Sequence, residues 1–289
     1  MLDILAAIII FALWALVPIL IGLLLGADRI LTARLQGRRG PTVLQPLKDM
    51  AKLLGKRAKQ VNLSQVAFAY LALALQAVAV LLLIAGGDVL ASLLISGAGA
   101  FVMVLGAFSV RSPYSSLGAQ RELVQILATE PVLLLVVLSL GYANGTFLAS
   151  GNGTLLIASL PLAPVAMIPA FLMRLEKSPY DTATAHSELV AGPYTEYSGR
   201  ALGIIKMAHW FELAVLFGIL LLFFDLPDPV MGVILKAAAV ATVVVLTALI
   251  DNCTARTTRW TLLRSALPLG LVLVGANLTT LYLINNGVI

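Results

Sequence analysis

One cysteine, Cys253, in a chain of 289 residues excludes an internal disulfide and any zinc or iron–sulfur site built from cysteines. Charge is equally scarce: 11% of the residues are Asp, Glu, Lys or Arg, against 60% hydrophobic, and there are two histidines. No water-soluble domain of this size needs that composition. There is no Walker loop, no dinucleotide glycine fingerprint, no HExxH and no CxxC. No His pair stands at haem-ligand spacing within an apolar run. The chain therefore carries no recognisable redox cofactor or metal site of its own. The net charge of +5 invites no nucleic-acid reading, because the basic residues are confined to particular loops.

What is present is a series of apolar runs of about 20 residues, the length that crosses a bilayer as a helix. Eight spans are expected, at 4–25, 66–85, 90–110, 123–143, 154–173, 202–224, 230–250 and 266–284, in one membrane domain over 1–289. Their continuity excludes the alternating pattern of a β-barrel, so the fold class is an all-α polytopic membrane protein. The first span has no basic n-region and no small-residue cleavage site, and reads as a retained helix.

The charges are sorted by loop. Arg29, Arg34, Arg38, Arg39, Lys48, Lys52, Lys56, Arg57 and Lys59 follow span 1, and Arg111 and Arg121 follow span 3. Arg174, Lys177, Arg200 and Lys206 follow span 5, and Arg256, Arg259 and Arg264 follow span 7. The opposite connections, 86–88, 144–154 and 225–229, contain no Lys or Arg, which leaves only Lys236 of nineteen basic residues unassigned. The positive-inside rule then puts both termini outside a cytoplasmic (inner) membrane. In the first inner loop, Pro46 marks a helix start, and Leu47, Met50, Leu53 and Leu54 share one face. A short amphipathic helix is expected there, serving as a basic anchor on anionic lipid or as a docking surface for a cytoplasmic partner.

Residues 174–212 hold both histidines and five of the fourteen acids: Glu176, Asp181, Glu188, Glu196 and Glu212. Pro179, Gly192, Pro193 and Gly199 punctuate a structured loop with short helical pieces. Asp181 and Glu188 are spaced to share a helix face, and carboxylates gathered away from water share protons; a solvated loop with ordinary acids is the plain alternative. Lys206, His209 and Glu212 recur every three residues, as a polar stripe entering span 6. A mutual hydrogen bond between His209 and Glu212 is the plain alternative. Thr129-Glu130-Pro131 leaves two readings open: Glu130 inside the membrane, or Thr129 capping a helix that begins at Pro131. The small-residue run Ser96–Ala100 is assigned to close helix packing. Lys236 is expected to snorkel outward, and Asp251 and Arg256 to pair at the inner end of span 7.

Several of these segments coincide with a known pattern. ARLQGRRGPTVLQPLKDMAKLL at 33–54 resembles the first-loop signature of the NuoH-type membrane subunit of complex I and its hydrogenase relatives. SPYDTATAHSELVAGPYTEYSG at 178–199 resembles that family's acidic loop. The Glu176–Pro179 lead-in, His186, AHWFE at 208–212 and DNCTAR at 251–256 are most similar to the energy-converting (Ech-type) nickel–iron hydrogenase branch. Thr184 and His186 stand where the quinone-reducing relatives carry glutamates, which favours a quinone-free hydrogenase.

The resemblance implies a subunit that anchors hydrogenase large and small subunits and an iron–sulfur subunit to an antiporter-like membrane subunit. The nickel–iron centre and iron–sulfur clusters would lie in those partners, and ferredoxin/H⁺ chemistry would be coupled to H⁺ or Na⁺ translocation. It further implies proton-path roles for Glu130, Asp181, Glu188, Glu196 and Glu212, joined by His209 from the polar stripe, and arm docking at Arg38, Arg39, Gly40 and Pro41, with Arg34 beside them. Glu176, His186, Lys236 and Asp251 are possible coupling residues. The alternatives are the quinone-site subunit of a complex I-type NADH dehydrogenase, a passive anchor in a formate hydrogenlyase-like complex, and a stand-alone transporter. The last would usually show internal repeats, and none is found.

Overall fold

Apolar side chains on every face of a long segment force the backbone to bond within that segment, and the fold is accordingly a bundle of helices. The structure is a computed structural model and describes residues 2–57, 62–150 and 155–285. Lys59, Thr154 and the side chain of His186 lie outside the described residues. Seven described helices are long and apolar enough to cross a membrane. They are α1 (Leu2–Leu35), α3 (Leu63–Ile84), α4 (Val89–Phe108), α5 (Pro113–Asn144), α9 (Gly199–Leu222), α10 (Pro229–Cys253) and α11 (Arg259–Asn285). The amphipathic helix of the first loop is α2 (Gln45–Gly55).

The expected fifth span is not among these seven: its segment is not one helix. It is a 3₁₀ turn at Leu156–Ala158 followed by α6 (Leu162–Ala166) and α7 (Ile168–Arg174). Pro161, Pro164 and Pro169 remove the amide donors that a continuous helix would need. Its side chains nevertheless form the centre of the core: Leu160, Met167 and Phe171 are fully buried, and Phe171 packs on Phe217 of α9.

Three expected boundaries move. The eighth span begins early, at Arg259. Helix α1 runs on through Gly26 to Leu35 and α5 begins at Pro113 and passes Gly118, because no proline interrupts either stretch and an isolated glycine is tolerated within a helix. Glu130 therefore sits inside one continuous helix. Thr129 is not a cap; its hydroxyl donates to the carbonyl of Gln125 at 2.9 Å.

Buried in the bundle, α9 contacts α1, α3, α4, α7 and α10. The apolar face of α2 is turned to the bundle as well: Leu47 lies over Gly22 of α1, and Leu53 and Leu54 over Gly203 of α9. Lys48, Lys52 and Lys56 point outward. The basic-poor loops gather at one end, where Val89 N–H donates to Phe147 O and Ala149 N–H to Gly87 O, both at 2.8 Å. The basic connections gather at the other, where Thr257 N–H donates to Pro179 O at 2.9 Å and Gln36 to Asn252 at 2.9 Å.

The acidic loop of 175–198 is short-range structure held from outside. Its one α-helical piece is α8 (His186–Leu189), followed by a 3₁₀ turn at Gly192–Tyr194. Helix α5 clasps it: Gln125 Nε2 donates to Tyr180 O at 2.7 Å and Arg121 Nη1 to Thr182 O at 3.1 Å. Close approach is possible because Gly118 has no side chain; a Cβ there would stand 2.5 Å from backbone atoms of Gly192 and Pro193. Gly118→Val should therefore lower stability in detergent by about 1–3 kcal/mol, the usual scale of overpacking. Gly55→Ala, where a Cβ meets nothing within 4 Å, should leave the thermal midpoint unchanged or raise it slightly.

A buried charge cluster as the candidate functional site

Arg174 is the last residue of α7, and its side chain enters the bundle instead of leaving it. The guanidinium meets Glu122 Oε1 of α5 at 2.8 Å and Glu212 Oε1 of α9 at 3.0 Å. Glu130, about two turns along α5 from Glu122, is further off at 3.9 Å. Its side chain is 27% exposed, whereas those of Glu122 and Glu212 are each 8%. Three carboxylates around one guanidinium would carry an uncompensated double negative charge if all were ionised. A low-dielectric interior resists that strongly, so protons have to be held within the cluster.

One proton can be located by its chemistry. His209 Nε2 lies 2.8 Å from the carbonyl oxygen of Arg174, an acceptor only, so Nε2 must donate. That bond satisfies the carbonyl left open at the end of α7. His209 Nδ1 faces Glu212 Oε2 at 3.3 Å. With Nε2 protonated, this contact needs a second proton, either on the imidazole or on the carboxyl. His209 and Glu212 thus share a proton, and Glu212 joins that pair to Arg174. The relation is more than the mutual hydrogen bond that spacing alone offers, while Lys206 stands apart from it and is exposed.

A second buried pair lies nearby. Lys177 Nζ donates to Asp28 of α1 and is 3.4 Å from Thr247 Oγ1 of α10. This pair, together with Arg174 and His209 of the first cluster, borders a cavity of about 520 Å³ between α1, the first loop, α2, residues 174–177 and α9. Arg38, Arg39, Gly40, Pro41, Glu176 and Asp251 also line it, whereas Arg34 is exposed and is not in its wall. Buried Tyr194 reaches the same cavity, and burial pushes its phenol well above the ordinary value.

The loop acids form a separate network. Asp181 takes two bonds from Arg256, at 2.7 and 2.5 Å, and Glu188 pairs with Arg121 at 2.8 Å while lying 3.9 Å from Arg256. Asp181 hydrogen-bonding holds the Arg256 guanidinium protonated even more firmly than usual. Asp181 and Glu188 are not on one helix, since α8 begins only at His186, and arginines stand between them. Arg256 therefore does not pair with Asp251, whose carboxylate accepts from Ser178 N–H at 2.9 Å. Glu196 is exposed and belongs to none of these pairs. Lys236 bonds Asp225 at 2.8 Å instead of snorkelling freely, because the outer loop brings that acid within reach.

Sequence reasoning missed Glu122, Arg174, Asp28 and Lys177 as members of a site. The signal for Glu122 and Asp28 was the lack of any proline between them and the neighbouring apolar run, which lets each helix continue through its charges. Arg174 and Lys177 had no such signal: the prolines mark the break, but only the packing of its short pieces turns these two side chains inward.

A family model described as NADH dehydrogenase matches residues 6–282. The chain belongs to the NADH dehydrogenase family. It is 32% identical to formate hydrogenlyase subunit 4 of Escherichia coli K12 over 205 residues, covering 64% of this chain and 66% of that protein. It is 30% identical to hydrogenase-4 component C of the same organism, covering 63% of each. With an NADH-quinone oxidoreductase subunit of Geobacter sulfurreducens it shares 29% identity, covering 68% of this chain and 70% of that one. A chain in the solved structure of the membrane-bound sulfane sulfur reductase, an archaeal respiratory membrane complex, has the same fold. It superposes with a TM-score of 0.81 at 20% identity, over 96% of this chain and 99% of that one. The matched segments span just under two thirds of the two Escherichia coli proteins. For this member of the NADH dehydrogenase family, Arg174→Met should destabilise the protein by about 3–5 kcal/mol, as breaking a buried ion pair usually does. Adding Glu122→Gln and Glu212→Gln should recover part of the loss in a thermal unfolding assay; no recovery would remove the guanidinium as the cluster's counter-charge.

Proposed function

We propose that this chain is the membrane subunit of a multisubunit membrane-bound hydrogenase, in which it anchors a cytoplasmic nickel–iron and iron–sulfur arm. It couples ferredoxin/H⁺ chemistry in that arm to movement of H⁺ or Na⁺ through an antiporter-like membrane partner. The chain lies in a cytoplasmic membrane with both termini outside. The observation that carries the reading is the cluster of Glu122, Glu130, Arg174, His209 and Glu212: a buried set of groups that must hold protons and admits more than one placement for them. The similarity to formate hydrogenlyase and hydrogenase-4 subunits supports the hydrogenase side.

In this reading charge enters at the acidic loop, through Asp181, Glu188 and Glu196. It passes by Arg121 and Glu122, adjacent residues of α5 that belong to the loop network and the buried cluster respectively. From there Arg174 relays its electrostatic effect to Glu212, His209 and Glu130. Glu176 and Asp251 line the cavity as coupling residues, with His186 assigned to the same loop and Lys236 to the outer end. Arg34, Arg38, Arg39, Gly40 and Pro41 form the docking face for the arm. The redox groups belong to the partners, and the residues of this chain bind, orient and hold protons.

A second reading rests on the cavity. Its volume and its position under α2, between α1 and α9, suit the headgroup of a quinone in a complex I-type NADH dehydrogenase. Purification of the tagged complex from native membranes separates the two: nickel and a hydrogenase large subunit are expected, and bound quinone with no nickel would favour the second.

Glu212→Gln, in the assembled complex in liposomes, should lower ion transport by roughly 10²-fold or more, the scale on which a positioned proton-transfer group acts. Unchanged transport with turnover intact would leave the chain a passive anchor. Arg38→Ala with Arg39→Ala should make the soluble arm dissociate at lower salt than the native complex does, because exposed pairs are screened within about 10 Å at 0.1 M. Equal salt release of the arm would take these arginines off the docking face.

A further inference from the structure

Helix α4 carries two glycines, Gly97 and Gly99, in the run that the sequence alone assigns to packing. The structure lays a polar side chain from a neighbouring helix over each. A Cβ at Gly99 would stand 2.9 Å from Gln76 Nε2 of α3, the amide that donates to Ser96 O and, through Oε1, accepts from Ser96 Oγ, both at 2.8 Å. A Cβ at Gly97 would stand 3.0 Å from Glu130 Oε2, 3.2 Å from its Cδ and 3.5 Å from its Oε1. The other oxygen of that carboxyl, Oε1, is the one 3.9 Å from Arg174. Glu130 therefore rests between a guanidinium that it does not quite touch and a patch of helix with no side chain. Glu122 and Glu212 have no such choice, being held at 2.8 and 3.0 Å.

We propose that Gly97 is a positioning residue for Glu130: its bare Cα is the seat on which the carboxyl rests off Arg174, and from which it swings onto the guanidinium. The proposal rests on the reading of Glu130 as a relay group. A methyl group at position 97 meets the carboxyl where it rests, so the carboxyl must give by a few tenths of an ångström. The place off the guanidinium is thereby disfavoured against the place on it, and a relay needs both. The clash involves the far end of a flexible side chain, so the backbone can stay in place and the effect falls on Glu130 itself.

The test uses the whole complex in liposomes and reads ions moved per electron pair for Gly97→Ala, Glu130→Asp, the double variant and Glu130→Gln. Gly97→Ala should lower that ratio by about threefold or more, within the range of coupling between residues in contact. In the Glu130→Asp background, where the side chain is a methylene shorter, the same change should have little effect. Loss of assembly by Gly97→Ala that Glu130→Asp relieves also supports the seat. A native ratio for Gly97→Ala overturns the proposal, as does an equal loss of ratio or of assembly in both backgrounds, which marks a helix-packing role. If Glu130→Asp is itself inactive, the infrared carboxyl band that disappears in Glu130→Gln must shift in Gly97→Ala; an unmoved band overturns the seat. A native ratio for Glu130→Gln removes Glu130 from the path and takes the parent assignment with it. Loss in Glu130→Gln beside a native Gly97→Ala removes only the seat.

Discussion

The structure depends on one buried guanidinium. Arg174 is placed where a charge is expensive, and it is tolerated because α5 and α9 each bring a carboxylate to within 3.0 Å. Those contacts tie together the end of the broken segment, the long helix α5 and the enclosed helix α9. The peptide carbonyl of Arg174 is occupied too, by His209. One residue thus fixes three helices through both its side chain and its backbone. The pair formed by Asp28 and Lys177 repeats the device on a smaller scale, linking α1 to the same loop and approaching α10 through Thr247.

The break in the fifth span is what makes this possible. A continuous helix would satisfy its own backbone and present Arg174 at its end, on the surface with the other basic residues. Three prolines instead divide the segment into short pieces with fully buried side chains, and the last piece ends inside the protein. Open carbonyls at such an end need donors, and His209 supplies one. Backbone irregularity and intramembrane charge therefore come as one feature, since each provides partners for the other.

Much of the fold was legible because it follows from the solvent. Continuous apolar runs dictate helices, their length dictates crossing, and the sorting of Lys and Arg separates the two sets of loops that the structure gathers at opposite ends. The amphipathic face of α2 was readable from Leu47, Met50, Leu53 and Leu54, though not its target, which is the bundle's own glycines Gly22 and Gly203. The candidate site was legible only in part. His209, Glu212 and Glu130 stand out as ionisable groups in apolar helices. Arg174 and Lys177 look like ordinary inner-loop cations, and nothing local says that they fold inward. Pairings were the least legible, because they depend on which loops meet: Asp251 binds Ser178 while Arg256 goes to Asp181. A helical pattern cannot encode contacts between segments so far apart in sequence.

Stability does not explain the cluster. Buried ion pairs roughly offset the cost of removing their charges from water, and apolar side chains of equal volume often hold a core as well or better. A subunit that only anchored its partners could be built from leucine at these positions. The cluster has instead two features that a structural ion pair does not need. It has more acids than bases, so its charge is balanced only when protons are resident, and it has one proton whose place between His209 and Glu212 the geometry leaves open. Glu130 adds a third, standing off at 3.9 Å with part of its side chain exposed. An arrangement of this kind responds to a change of charge nearby by moving a proton, because that is the least costly way for a low-dielectric interior to stay neutral. The loop network supplies such a neighbour: Arg121 binds Glu188 at the edge of the bundle and the next residue of α5, Glu122, binds Arg174 within it. On the proposed reading, a displacement of the acidic loop acts on the cluster through these two adjacent residues of α5.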